Sequence, residues 1–382
     1  MIAARASSTD STLKFAGTWT RLVGNCANAL CAMGSVEFTV LSEELRVLRL
    51  TQERVRADFS SLLKLLFFTE RDDDHEGRFC VCCLVGSELS LIVPACDLPD
   101  SLSSDYDPGA DTWRAIQLGE GEAGFESVGV IEKIVGPLAA AGVPVLYIST
   151  FSTDFVLVGS SFLEEAVSLL RELGEEAAPS AAAAEEAPPA SPAPAPPRAI
   201  PLLLYEDGAT RVYRIDRRRR QEHTSALLRL LFLPAADDEP QPIACLVETP
   251  EELSVMCGAD SWFGAHCESH VGDGAQSSSQ LWLPIRVGGA DGIGLDEVGV
   301  IAAMATPLAQ ASVPVLYVSA FSNDYVLVPA ALTDVSVEAF EKQGFDVKRR
   351  SAADDDDAPA PEPAAPPAEE PPAPDAEADA SS

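Results

Sequence analysis

The chain is written twice. Residues Phe125–Val158 (FESVGVIEKIVGPLAAAGVPVLYISTFSTDFVLV) align without a gap on Leu295–Val328 (LDEVGVIAAMATPLAQASVPVLYVSAFSNDYVLV), with 20 identities in 34 positions. Upstream, Leu62-Leu-Lys-Leu-Leu-Phe answers Leu227-Leu-Arg-Leu-Leu-Phe, and Arg46-Val-Leu-Arg-Leu answers Arg211-Val-Tyr-Arg-Ile. Glu88-Leu-Ser answers Glu252-Leu-Ser, and Trp113-x-x-Ile answers Trp282-x-x-Ile. Agreement over whole blocks marks a duplication, so whatever fold one block adopts the other adopts too.

The boundaries of the two blocks follow from composition. The chain has 382 residues, more than the about 250 that one core usually serves, and a net charge of −34. The tail Ser351–Ser382 holds ten acidic residues, no basic ones and eight prolines. Gly174–Arg198 is an Ala/Pro-rich run with four Glu, one Arg and seven Pro. Neither has branched apolar residues to bury, and both read as extended or disordered. Their removal leaves a net charge of −21 and two blocks, 36–173 and 200–346, joined by a linker over 174–199 and followed by an acidic tail over 351–382. Residues 1–35 form a Ser/Thr/Ala-rich arm whose composition suits an organellar leader and a disordered arm equally. The acidic balance argues against nucleic acid and anionic membranes as partners. No run of 18 apolar residues is present to span a bilayer. The cysteines are odd in number, and Cys80-Val-Cys-Cys lies in an apolar run, where free thiols behave as small hydrophobes.

Within each block the pattern alternates. Arg46–Leu50 reads as a strand and Ser60–Phe68 as a short amphipathic helix, followed by paired strands at Cys80–Val85 and Leu89–Val93. Trp113–Leu118 is a further strand, and Ser127–Ala141 a helix capped by Ser127 and interrupted at Pro137. Val145–Ser149 and Phe155–Val158 form a hairpin turning through residues 150–154, and a last helix runs over 162–173. Strand, helix, strand, strand thus occurs twice per copy, which predicts an α+β chain of four small units.

The residues Gly-Phe-Glu-Ser-Val-Gly-Val-Ile, Gly-Pro-Leu-Ala and Val-Leu-Tyr-Ile-Ser-Thr-Phe-Ser-Thr-Asp-Phe-Val-Leu-Val resemble ACT domains of the CASTOR type, over both blocks and in their tandem order. That family consists of cytosolic amino-acid sensors, its better-known member reporting arginine to the TOR kinase pathway. The resemblance implies four ferredoxin-like βαββαβ units, with an amino acid held between units of different halves. It places Gly294, Glu297, Phe321 and Asp324 on ligand-contacting positions, with Gly124, Glu126, Phe151 and Asp154 as their first-copy equivalents. Lys133, followed by Ile134, falls where the family has a ligand-holding serine, and Ala320 where it has a threonine. A cationic Lys133 would repel a guanidinium unless it points away or pairs with Glu132 or with an amino-acid carboxylate. Loss of the hydroxyl at Ala320 removes an acceptor for a cationic ligand. The ligand expected is therefore a free amino acid, arginine or another.

The chemistry of such a ligand fits the residue types. A carboxylate is met by backbone N–H groups at a helix start, and an ammonium by carboxylates such as Glu297 and Asp324. The same acids serve equally as ordinary helix-start and turn residues. Other motifs carry less. Gly119-Glu-Gly-Glu-Ala-Gly124 has dinucleotide-loop spacing but would set two glutamates against a pyrophosphate, and the second copy breaks it. Cys257, His266, Cys267 and His270 lack the paired spacing of a structural zinc site and read as a polar insertion loop. Arg217–Arg220 reads as a solvated face or a contact for the acidic tail. No nucleophile elbow, P-loop or His-Glu-x-x-His motif is present. No enzyme, cofactor or metal is therefore expected. The partners expected are an amino acid, a regulatory protein complex and a second copy of the chain. A ligand-free scaffold and a regulatory subunit are the alternatives.

Overall fold

The computed structural model describes residues 29–32, 37–69, 78–102, 111–119, 128–176, 200–233, 241–271, 274–289 and 292–350. The first copy runs β1 (Ala29–Ala32), β2 (Glu37–Val40), β3 (Leu45–Thr51), α1 (Gln52–Ala57), α2 (Phe59–Phe67), β4 (Cys80–Val85), β5 (Glu88–Pro94), β6 (Trp113–Leu118), α3 (Val130–Ala140), β7 (Val145–Ser149), β8 (Asp154–Gly159) and α4 (Leu163–Glu176). The second runs β9 (Leu202–Tyr205), β10 (Thr210–Asp216), α5 (Arg220–Phe232), β11 (Ala244–Glu248), β12 (Glu252–Gly258), α6 (Trp262–Glu268) and β13 (Ala275–Ser277). It continues through β14 (Trp282–Val287), α7 (Val300–Gln310), β15 (Leu316–Ser319), β16 (Asp324–Pro329), α8 (Thr333–Lys342) and β17 (Val347–Arg350). Strand, helix, strand, strand does recur four times, starting at β3, β6, β10 and β14.

The four runs share one sheet system. Antiparallel pairings lead from β3 through β5, β4, β11, β12, β10, β14, β16, β15, β7, β8 and β6 back to β3, a closed ring of twelve strands. The copies meet twice in it, along all of β11 opposite Cys80–Leu84 of β4 and at Ile148 opposite Val318. At the second joint the Ser319 hydroxyl accepts the Tyr147 N–H and the Ser149 hydroxyl accepts the Tyr317 N–H, a reciprocal pair. Corners fall at Leu45 opposite Trp113 and Thr210 opposite Trp282, the two tryptophans that the repeat had matched.

The core forms three layers because the ring is filled from inside and packed by helices on its outer faces. Inward-facing residues such as Leu146, Ile148, Phe155, Val318, Tyr325 and Leu327 fill the ring. Helices α3, α4, α7 and α8 cover one outer face, and α2, α5 and α6 the other. Strands covered twice carry no polar alternation, which is why β8 and β16 read as unbroken apolar runs. At about 25 cal/mol per Å² of apolar surface, these layers supply the main driving force for folding.

Several expectations change. The fourth strand beside β6 is β2, and beside β14 it is β9; both come from ahead of the unit they complete, so these units are not simple βαββαβ runs. After β5 the described residues contain a 3-10 turn at Ala95–Asp97 where a second helix was expected. Helix α3 starts at Val130, behind Gly129 with φ +76°, and Ser127 lies outside the described residues. Its second-copy counterpart Gly299 has φ +85°, a region that side chains resist, so glycine geometry starts both helices. Pro137 does not interrupt α3, which continues to Ala140; burial of Ile134, Val135 and Leu138 offsets the one hydrogen bond proline cannot donate. Residues 29–32 of the expected arm form β1, and the rest of the arm, most of the linker and the tail lie outside the described residues.

Candidate functional site

A cleft opens between the copies on the face covered by α3 and α7. The first copy contributes Val135 and Ala139 of α3 with Val145 and Leu146 of β7. The second contributes Ile293–Leu295, Glu297, residues 299–302 at the start of α7, Ala320 and Asp324. The cleft is narrow, with about 20 Å³ accessible to the centre of a water-sized sphere, room for about one water, so it must widen to admit an amino acid. The first N–H groups of α7 have no partner within their own helix, and the helix dipole adds partial positive charge there. A carboxylate suits that end. Glu297 and Asp324 lie on the same cleft, where a cation suits.

Asp324 was expected in the hairpin turn, yet it is the first residue of β16, paired in register with Ser319. Strand parity puts it on the helix side of the sheet, with Tyr317. There the Tyr317 hydroxyl donates to Asp324 Oδ2 at 2.7 Å. Burial pushes the Asp324 carboxyl up to about 7, the negative Glu297 adds to the rise, and the Tyr317 and Ser319 hydroxyls oppose it. Burial and the adjoining carboxylate also raise the Tyr317 hydroxyl well above the usual tyrosine range. A carboxylate held this way is costly to ionise, and a cation beside it would relieve that cost.

Of the residues singled out in the sequence, Gly294, Glu297 and Asp324 come together around this cleft. Phe321 does not line it: half-buried, it packs against the ring interior. Lys133 is exposed, and Ile134 is buried in the helix-side core. Val135 and Ala139, one helical turn apart, take the place on α3 expected for Lys133–Ile134. With Lys133 exposed and off the cleft, the expected repulsion of a guanidinium loses its basis. Phe151 and Asp154 occupy the matching first-copy hairpin, whereas Gly124 and Glu126 lie outside the described residues. Tyr317 was missed; its signal was a tyrosine seven residues before the aspartate in both copies.

The remaining clusters resolve otherwise. The segment with Cys257, His266, Cys267 and His270 contains helix α6, where a loop was expected. Its cysteines are buried with the apolar core, while His266 meets His223 of α5 at 3.1 Å between ring nitrogens. Among the described residues no group of three or more His, Cys, Asp and Glu is arranged to hold a metal ion. In the basic run, Arg217 and Arg220 turn toward buried Glu248, which also pairs with buried Arg78 of the first copy at 2.9 Å. The Arg78–Glu248 pair ties the copies together, Arg220 also lies over the ring of Phe67 in the first copy, and the solvated-face reading fails for Arg217 and Arg220. Of the glycine-rich loop only Gly119 is described. No described helix is long and apolar enough to cross a membrane.

Comparison with known proteins points the same way. The ACT domain profile matches residues 109–172 and 277–342, once in each copy. Curated relatives cover the tandem as a whole. The "Cytosolic arginine sensor for mTORC1 subunit 1" of Rattus norvegicus is 26% identical over 77% of this chain and 93% of its own length. The proteins of that name from Homo sapiens and Bos taurus are 25% and 26% identical, each aligned over 77% of this chain and 94% of theirs. The chain thus carries an ACT-domain match in each duplicated copy and is similar along its tandem to arginine sensors of the CASTOR type.

Proposed function

We propose that the chain is a non-catalytic cytosolic sensor that binds a free amino acid, arginine first among the candidates, in the cleft between its copies. The four strand–helix–strand–strand runs are then four ACT-type units, two of which meet around the ligand. The observation that carries this reading is Asp324: a buried carboxylate pushed up to about 7, beside Glu297 and within the same cleft as the start of α7. The ligand's carboxylate would meet the α7 N–H groups, and its ammonium or guanidinium would meet Glu297 and Asp324. The relatives are named as arginine sensors for mTORC1, which supports arginine as ligand and a complex of the TOR pathway as partner.

The mechanism is a population shift. A ligand that touches both copies favours the arrangement in which the cleft is closed, provided it binds that arrangement better than the open one. Calorimetry and thermal melting with each of the twenty amino acids test the reading. Binding of arginine or another amino acid, lost in Asp324→Ala, is the expected result. Silence from all twenty would leave a ligand-free scaffold as the function.

A further inference from the structure

The hairpin that carries Asp324 is held from the far side of the molecule. At its tip the Ser322 hydroxyl donates to Glu88 Oε2 at 2.7 Å, and the Phe321 N–H donates to Ser90 Oγ at 2.9 Å. Glu88 and Ser90 belong to β5, in the first copy and in the half of the ring away from the cleft. Ser90 is buried, and Glu88 is oriented in turn by an ion pair with Arg49. The other side of the same tip touches the cleft wall: the Ser322 carbonyl accepts the Ile293 N–H at 2.6 Å. A Cβ on Gly292 would stand 2.9 Å from that carbonyl oxygen, so the approach is close enough to need glycine. Ile293, Gly294 and Leu295 line the cleft. An unbroken path of hydrogen bonds therefore runs from Glu88 through Ser322 to the wall of the site.

We propose that Glu88 and Ser90 are positioning residues for the cleft: by gripping the Phe321–Ser322 tip they seat the Ile293–Leu295 wall, so that β5 of the first copy sets the site's affinity. The inference rests on the amino-acid reading above for its ligand, but the grip itself is independent of any ligand. Linkage makes the coupling reciprocal: whatever tightens the wall tightens the grip on β5, and occupancy is felt on the opposite half of the ring. The first-copy hairpin repeats the grip in mirror form. Ser152 donates to Glu252, and the Phe151 N–H donates to Ser254 Oγ at 3.0 Å. Ser152 thus supplies a matched control.

The test uses the full chain with Glu88→Ala, Glu88→Gln, Ser90→Ala and Ser152→Ala, read by amide exchange without ligand and by calorimetry with L-arginine. Glu88→Ala and Ser90→Ala should speed exchange at 319–324 and 292–297 while leaving β12 unchanged. Glu88→Ala should weaken arginine roughly 10-fold, the effect of one lost hydrogen bond to a charged group, and Ser90→Ala, which loses a neutral bond, roughly 5-fold. Glu88→Gln keeps an oxygen that accepts the Ser322 hydroxyl and should restore both readouts. Ser152→Ala should leave both at wild type. Unchanged exchange at 292–297 in Glu88→Ala overturns the proposal, and so does faster exchange with unchanged affinity. If no amino acid binds the wild type, the ligand reading falls alone. The grip is then judged by exchange.

Discussion

In the first copy Tyr147 donates its hydroxyl to Asp154 at 2.9 Å, and in the second Tyr317 donates to Asp324 at 2.7 Å. Both aspartates open a strand, both face a helix, and burial raises both carboxyls above the usual range. The turns before them differ. Thr150 spends its hydroxyl inside its own turn, donating to the Thr153 carbonyl at 2.6 Å and accepting the Thr153 N–H at 3.1 Å. Ala320 keeps the backbone bond of that turn, its N–H to the Asn323 carbonyl, and has no hydroxyl to place. In the first copy the Thr150 hydroxyl is therefore a turn contact. What the change to alanine does instead is leave a small side chain on the wall beside Asp324, where Glu297 adds a second negative charge. Duplication reproduced the framework, and of its two carboxylates Asp324 is the one that lines the cleft.

The most direct way to break this comparison is to remove each carboxylate in turn. Asp324→Asn should weaken L-arginine about 100-fold, the scale of losing a buried charged hydrogen bond, whereas Asp154→Asn should change it by less than about 3-fold. Calorimetry on both variants decides, and equal losses would mean the copies are equivalent. The same variant has an opposite effect on the empty protein. Because the folded carboxyl titrates near 7 and an unfolded one near 3.8, the folded state holds the extra proton between those values. Stability contributed by this group therefore falls as pH rises through that window. Asp324→Asn removes the penalty, so urea unfolding at pH 7.5 should show a gain of about 1–3 kcal/mol that vanishes near pH 4.

The titration also sharpens the ligand reading. Only ionised Asp324 attracts a cation, and its ionised fraction rises about 10-fold between pH 6 and 8 for a group titrating near 7. Affinity for arginine should rise by about that factor over the same range and level off above it. An affinity independent of pH would place the guanidinium away from Asp324. A smaller effect follows from rebuilding the first-copy turn in the second. Ala320→Thr should reduce affinity about 3- to 10-fold by filling the wall, with a melting temperature close to wild type because the turn accepts threonine in the other copy.

How far the sequence carried these conclusions depends on which contacts were local. The strands at Trp113–Leu118, Cys80–Val85 and Val145–Ser149 appear with the bounds the apolar runs suggested, since burial on both faces writes itself into consecutive residues. The closed ring was not legible. It depends on pairing Leu84 with Ala244 and Ile148 with Val318, partners some 160 residues apart that no local pattern encodes. The family resemblance singled out Gly294, Glu297 and Asp324, and these three line one cleft. The first-copy wall was missed because the choice among Lys133, Ile134 and Val135 rests on helix rotation, and the true start at Val130 fixes that rotation. The mirror grips of Glu88 and Glu252 had been visible only as matched Glu-Leu-Ser triplets, without their partners.

The copies differ once more on the other face of the ring, where α6 lies against α5 and the described part of the first copy has only a 3-10 turn. There the rings of His223, His266 and His270 stand 4.5 to 5.2 Å apart, and Trp262 stacks on His266. Burial holds His223 below the usual histidine range, aided by the neighbouring His266, His270 and Arg219, while Glu222 opposes. Burial and His270 do the same for His266. His223 and His266 therefore take up fewer protons in the folded state than in the unfolded chain below about pH 6.5, so the stability they contribute is fully present above that value and declines as pH falls. Amide exchange over 261–271 should accelerate between pH 7 and 5.5, after correction for intrinsic rates, more than exchange over 95–102 in the first copy. His266→Gln should flatten the difference. Equal pH dependence of the two segments would mean that the three rings accommodate protons without loosening α6.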